Sequence, residues 1–223
     1  MGVAVNRLTR SSRLRISEIF HSLQGEADAV GWPTAFIRLT GCPLRCLWCD
    51  TTYAFVGGGW MDFETILEQV ATYRARYVCV TGGEPLAQKR CINLLGLLCD
   101  SGYCVSLETS GALDISEVDT RVRKIMDLKT PGSGEMARNH LQNLDFLQSH
   151  DQIKFVLVDR NDYEWACGML REYQLEQRCD VLFSPVHDRL QGRELADWIL
   201  IDRLPVRFQL PLHKLLWGQQ PGH

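Results

Sequence analysis

Cys42, Cys46 and Cys49 form a C-x3-C-x2-C run, three sulfur ligands within eight residues. The chain has nine cysteines, an odd number that rules out a complete set of internal disulfides. In a reducing compartment such a cluster points to metal binding or catalysis. A closed tetrahedral zinc site needs a fourth ligand; His21 is the nearest histidine, and no second C-x2-C follows. A cubane 4Fe–4S cluster usually takes four cysteines. With three, one iron keeps a coordination position free for a small molecule bound through nitrogen and oxygen. The spacing favours a three-cysteine iron–sulfur site, with zinc as the alternative. Cys79, Cys91, Cys99, Cys104, Cys167 and Cys179 stand alone in apolar surroundings and read as buried or surface bystanders.

Positioning such a loop requires a scaffold. Extended patterns fall at 34–40, 76–81, 103–109, 124–129, 152–158, 180–184 and 206–210. Helical patterns start at Asp62, a candidate N-cap, and near Asn161 with Glu164 three positions on, and run over 88–99, 116–123, 138–148 and 194–201. Strand–helix alternation predicts a parallel sheet with crossover helices. Eight βα units take about 250 residues. The strands from Thr34 onward supply about six, so the expected α/β fold is an incomplete, curtailed (β/α)6 barrel, with a flat doubly wound sheet as competitor. In either arrangement, chemistry belongs in the loops after the strands' carboxyl ends, and the first such loop holds the cysteines.

Alternation in the strand at 34–40 puts Ala35, Ile37 and Leu39 on one face and Phe36, Arg38 and Thr40 on the other. The aliphatic face suits packing against helices, which aims Arg38 inward, where a guanidinium requires an anion. The same logic turns Ser106 and Glu108 inward. The segment Thr81-Gly82-Gly83-Glu84-Pro85 ends another strand and lets backbone approach a ligand. Gly57-Gly58-Gly59 lacks a following Lys-Ser/Thr, is no phosphate loop, and reads as a flexible connector.

The whole chain has 223 residues and a formal charge of −3, which gives no pull toward nucleic acid or membrane. No signal peptide and no apolar run of about 18 residues is present, so a cytoplasmic protein is expected. Residues 1–13, with Arg7, Arg10 and Arg13, read as a solvated arm, and 14–223 as a single domain.

The cysteine spacing with Trp48 before the last cysteine, and the GGEP segment after a strand, resemble the radical S-adenosylmethionine superfamily. That resemblance implies a cofactor whose methionine amino and carboxylate groups chelate the open iron, and whose reductive cleavage gives a 5′-deoxyadenosyl radical. Finer motifs are similar to the 7-carboxy-7-deazaguanine synthase family: Ser22-Leu23-Gln24-Gly25-Glu26, Phe36 through Pro43, Trp48-Cys49-Asp50-Thr51, Glu108-Thr109-Ser110-Gly111, Asp127-Leu128-Lys129-Thr130 and the tail at 209–217. The family forms 7-carboxy-7-deazaguanine from 6-carboxytetrahydropterin by radical ring contraction with loss of ammonia, in the route to queuosine.

The resemblance implies roles residue by residue. Cys42, Cys46 and Cys49 would ligate the 4Fe–4S cluster and Thr51 a magnesium ion. Trp48, Cys49, Asp50, Gly83, Glu84, Asp127, Leu128, Lys129 and Ser184 would bind S-adenosylmethionine, with Glu84 accepting from its ammonium. Leu23, Gln24, Gly25, Arg38, Thr81, Glu108 and His213 would bind the pterin, Arg38 through its carboxylate. Read alone, Arg38 could instead pair with an internal glutamate such as Glu108, and Asp127 and Lys129 could each form an internal salt bridge with a neighbour. A one-electron donor such as a flavodoxin, a homodimeric state and no nucleic-acid partner are further expectations. The rivals are a glycyl-radical activating enzyme and a non-enzymatic iron–sulfur or zinc module.

Overall fold

A computed structural model describes residues 12–218, 220 and 222. Arg7, Arg10 and His223 lie outside the described residues. Arg13 does not belong to an arm: it opens strand β1 (Arg13–Leu23) and pairs with Asp62.

Among the described residues nine strands form one sheet, ordered β3-β1-β2-β4-β5-β6-β7-β8-β9. These are β1, β2 (Pro33–Leu39), β3 (Gly59–Asp62), β4 (Tyr77–Gly82), β5 (Cys104–Thr109), β6 (Arg123–Asp127), β7 (Gln152–Leu157), β8 (Asp180–Pro185) and β9 (Arg207–Phe208). From β2 through β9 every pairing is parallel; β1 runs antiparallel to both β2 and β3. All seven expected extended segments are thus present as strands, flanked by an antiparallel pair that the sequence reading did not assign.

The helices that cross over are α1 (Phe63–Thr72), α2 (Cys91–Asp100), α3 (Arg160–Tyr173) and α4 (Gly192–Asp202), with α5 (Leu212–Trp217) closing the chain. The Asp62 side chain caps α1 by accepting from Thr65 N–H, and Phe63, Ile66 and Val70 are buried against the sheet. Each such apolar side chain contributes about 1.5–3 kcal/mol. Their partners include Ala35, Ile37, Leu39, Val78, Val80 and Leu107, the outward face of the parallel strands. The cap of α3 is Asp159 rather than Asn161; Glu164 pairs with Arg160 instead of closing a capping box.

Two expected helices are replaced by turns. Over 116–123, Asp114 accepts from Ser116 N–H at 2.8 Å and Asp119 from Arg121 N–H at 2.9 Å. Such local acceptors offer the backbone an alternative to helix. Over 138–148 only a short 3-10 segment, Leu141–Phe146, forms. Buried Asn143 there accepts from Ile115 N–H and donates to the carbonyls of Gly111 and Leu113, locking the two turns together. The glycine run is not a flexible connector either. Gly58 has φ +69°, and a Cβ there would lie 2.2 Å from Thr40 Oγ1 and 2.5 Å from the Ile16 carbonyl. Gly58 is thus closely packed within the turn that delivers β3 onto β1, while Gly57 and Gly59 have open space around them.

Candidate active site

A cavity of about 690 Å³ opens at the carboxyl ends of the parallel strands. That size suits a small-molecule site of a few hundred to a thousand Å³. The loop after β2 forms one wall, and Cys42, Cys46, Trp48, Cys49, Asp50 and Thr51 all line it. Backbone bonds fasten this loop to its neighbours: Glu84 N–H donates to the Gly41 carbonyl at 2.8 Å and Leu47 N–H to the Ser133 carbonyl at 3.1 Å. Arg45 donates to the carbonyls of Cys42 and Leu44, while Glu135 accepts from its N–H. Gly83 is demanded by this packing, because a Cβ there would sit 2.3 Å from the Gly41 carbonyl oxygen and 2.8 Å from Cys42 Cβ.

The three cysteines are free and half-buried. Burial pushes the Cys42 and Cys46 thiols up, and the Lys129 ammonium works in the opposite direction at both. Among the described residues no three His, Cys, Asp or Glu side chains converge on one ion. The three thiols face the cavity from one loop, the sulfur donors that a three-cysteine cubane takes. The donor set therefore fits a three-cysteine 4Fe–4S group.

Around the rest of the cavity, charges come in pairs. Arg38 donates through Nε to Glu18 at 2.7 Å, not to Glu108. Glu108 instead accepts from Thr81 Oγ1 at 2.9 Å and Gln24 Nε2 at 3.3 Å. Asp127 and Lys129 pair at 3.0 Å, and both face the cavity. Lys154 on β7 pairs with Glu26. Lys214 on α5 pairs with Asp50 at 2.6 Å, and Thr51 Oγ1 donates to the same carboxylate at 2.8 Å. Burial would raise the Asp50 carboxyl, but Lys214 and Thr51 hold it at about 2. Burial keeps His213 below its ordinary value, outweighing the upward pull of Glu26. α5 reaches this position because Leu212 N–H donates to the Gly25 carbonyl at 2.9 Å, which packs His213 against Gly25.

Leu23, Gln24, Gly25, Arg38, Thr81, Gly83, Glu108, Asp127, Lys129, Ser184 and His213 all line the cavity, together with the cysteine loop. Two expected cofactor residues, Glu84 and Leu128, are not among those lining the cavity. Glu84 is fully buried and does not line the cavity. Its carboxylate accepts from Leu86 N–H, Thr109 Oγ1, and both the N–H and Oγ of Ser110. Leu128, which directly follows β6, is fully buried in the main core. Sequence reading missed Glu18, Phe20, Tyr53 and Lys154 as parts of the site. Lys154 carried a signal, since strand alternation from buried Ile153 and Phe155 turns it inward.

Residues 36–132 match the radical SAM superfamily model. The 7-carboxy-7-deazaguanine synthase of Chlorobaculum tepidum is 43% identical, covering 95% of this chain and 97% of that one. That of Koribacter versatilis is 42% identical, covering 92% and 97%. The crystal structure of QueE from Escherichia coli superposes with a TM-score of 0.77 at 24% identity, covering 95% of this chain and all of that one, and shares the fold.

Proposed function

The chain belongs to the 7-carboxy-7-deazaguanine synthase family of radical SAM enzymes, and from that membership we propose how its cavity divides the work. It is a lyase that forms 7-carboxy-7-deazaguanine in queuosine and deazapurine biosynthesis. The pterin taken is 6-carboxy-5,6,7,8-tetrahydropterin. Bound together, the 4Fe–4S cluster and S-adenosylmethionine supply a carbon-centred radical able to abstract a substrate hydrogen.

Every other task falls to side chains. Cys42, Cys46 and Cys49 hold the cluster. Trp48, Asp50, Gly83, Asp127, Lys129 and Ser184 surround S-adenosylmethionine, the Asp127–Lys129 pair offering both an acceptor and donors to a ribose or adenine edge. Glu84 acts one step back, fixing Ser110 at the end of β5. Arg38 takes the substrate carboxylate, and Glu108, with Gln24 and Thr81 already bonded to it, accepts from the guanidine-like edge of the pterin. His213 and Leu23–Gly25 close over it. Thr51 ligates magnesium, since its hydroxyl donates to Asp50 and still has lone pairs for a cation that keeps most of its waters. We further propose a flavodoxin-like one-electron donor, a homodimer and a cytoplasmic location, supported only by the family resemblance.

The observation that supports this reading best is that Arg38, Glu108 and the three thiols face one cavity. Anaerobic cleavage of S-adenosylmethionine by reconstituted enzyme tests it. Cleavage should depend on the carboxylated pterin in the wild type and lose that dependence in Arg38→Ala. Equal stimulation of both proteins would contradict the assignment.

A further inference from the structure

β1 is not a regular strand. Ile16 opposes Leu39, but Glu18 opposes Arg38, Ile19 opposes Ile37 and Phe20 opposes Phe36. Ser17 is therefore an extra residue, and its Oγ is tied to Thr40 Oγ1 at 2.7 Å. A one-residue shift exchanges the faces of everything beyond it. Before the bulge, Leu14 and Ile16 point into the core; after it, Ile19 does so. Without the bulge, Glu18 would point to the core beside Ile37, where an unpaired carboxylate is costly. With it, Glu18 and Phe20 share the cavity face with Arg38 and Phe36.

The consequence is a built support for one guanidinium. Glu18 Oε1 accepts from Arg38 Nε at 2.7 Å and from Tyr53 Oη at 2.8 Å. Phe20 stacks on Phe36 with centroids 4.8 Å apart, and the Arg38 guanidinium lies 5.8 Å from the Phe20 ring and 5.9 Å from the Tyr53 ring. Burial and the bond to Glu18 push the Tyr53 phenol up to about 12, despite Arg38 beside it, so it stays a donor. Among the described residues, the two terminal nitrogens of Arg38 have no hydrogen-bond partner.

We propose that Glu18 is a positioning residue that sets specificity for a carboxylated substrate. By holding Arg38 through Nε alone, it leaves the paired terminal N–H groups as a fork for a planar carboxylate. Tyr53 braces the Glu18 carboxylate from the turn that follows the cysteine loop, so the substrate anchor and the cluster loop are set relative to each other. This inference rests on the role given above to Arg38.

Glu18→Ala and Glu18→Gln, reconstituted anaerobically, test it against two ligands: 6-carboxytetrahydropterin and tetrahydropterin without the carboxylate. Glu18→Ala should weaken the carboxylated ligand about tenfold to a hundredfold, the range of a charge-assisted hydrogen bond. That loss should appear in KM more than in kcat. Affinity for the uncarboxylated ligand and iron content should stay at wild-type levels. Glu18→Gln keeps an acceptor for Nε and should restore most of the loss. Unchanged binding in Glu18→Ala, equal loss of both ligands, or no rescue by Gln would overturn the inference. A wild-type enzyme that fails to prefer the carboxylated pterin would instead overturn the reading of Arg38 itself.

Discussion

Cys42, Cys46 and Cys49 are half-buried at the cavity wall, whereas Cys79, Cys91, Cys167 and Cys179 are packed in the interior. Cys46→Ala should therefore abolish iron binding, while Cys91→Ala should keep iron and turnover; metal analysis after anaerobic reconstitution separates the two. Equal loss of iron would contradict the division. His213 yields a pH prediction. Burial holds it below its ordinary 6.5, so the folded chain resists a proton that the unfolded chain accepts. The stability this contributes is full above pH 6.5 and is lost as pH falls through the lower folded value. The melting-temperature difference between wild type and His213→Gln should be flat above that pH and shift against the wild type below it. Residue types and spacing were enough to find the thiols, Arg38 and Glu108, because alternation and short motifs are local. They could not show that Glu84 accepts from Thr109 and Ser110, since these donors lie a whole βα unit away.

At the scale of elements, the parallel strands were legible because both faces are read by a simple period: aliphatic residues toward the helices, polar ones toward the cavity. β1 was not, because the extra Ser17 breaks that period midway and its partner β2 is the only register that makes sense of it. The turns over 116–123 escaped for a related reason: helical spacing is present, but Asp114 and Asp119 divert the backbone locally. α5 was foreseen as a tail motif without its function as a strap. It is fastened at Gly25 through Leu212 and at Asp50 through Lys214. Lys214→Ala should accelerate hydrogen exchange across Leu212–Trp217 and weaken pterin binding, with iron content unchanged. Exchange at wild-type rates would show that the ion pair does not hold the strap.

The whole molecule is an open, partly closed barrel whose parallel strands present the loops at their carboxyl ends to one cavity. No helix among the described residues is long and apolar enough to cross a membrane. Length could not reveal that an antiparallel β1–β3 flank closes the early edge and carries Glu18 into the site. Nor could the charge of −3 show that the cavity's charges are nearly all paired in advance: Arg38 with Glu18, Lys129 with Asp127, Lys154 with Glu26, Lys214 with Asp50. Such a site is preorganised for a polar, planar substrate rather than for a long apolar one. The most direct test is the mass of the product after anaerobic incubation of the reconstituted enzyme with 6-carboxytetrahydropterin, S-adenosylmethionine, magnesium and reductant. The account predicts 7-carboxy-7-deazaguanine with release of ammonia. Cleavage of S-adenosylmethionine with the pterin recovered unchanged would contradict it.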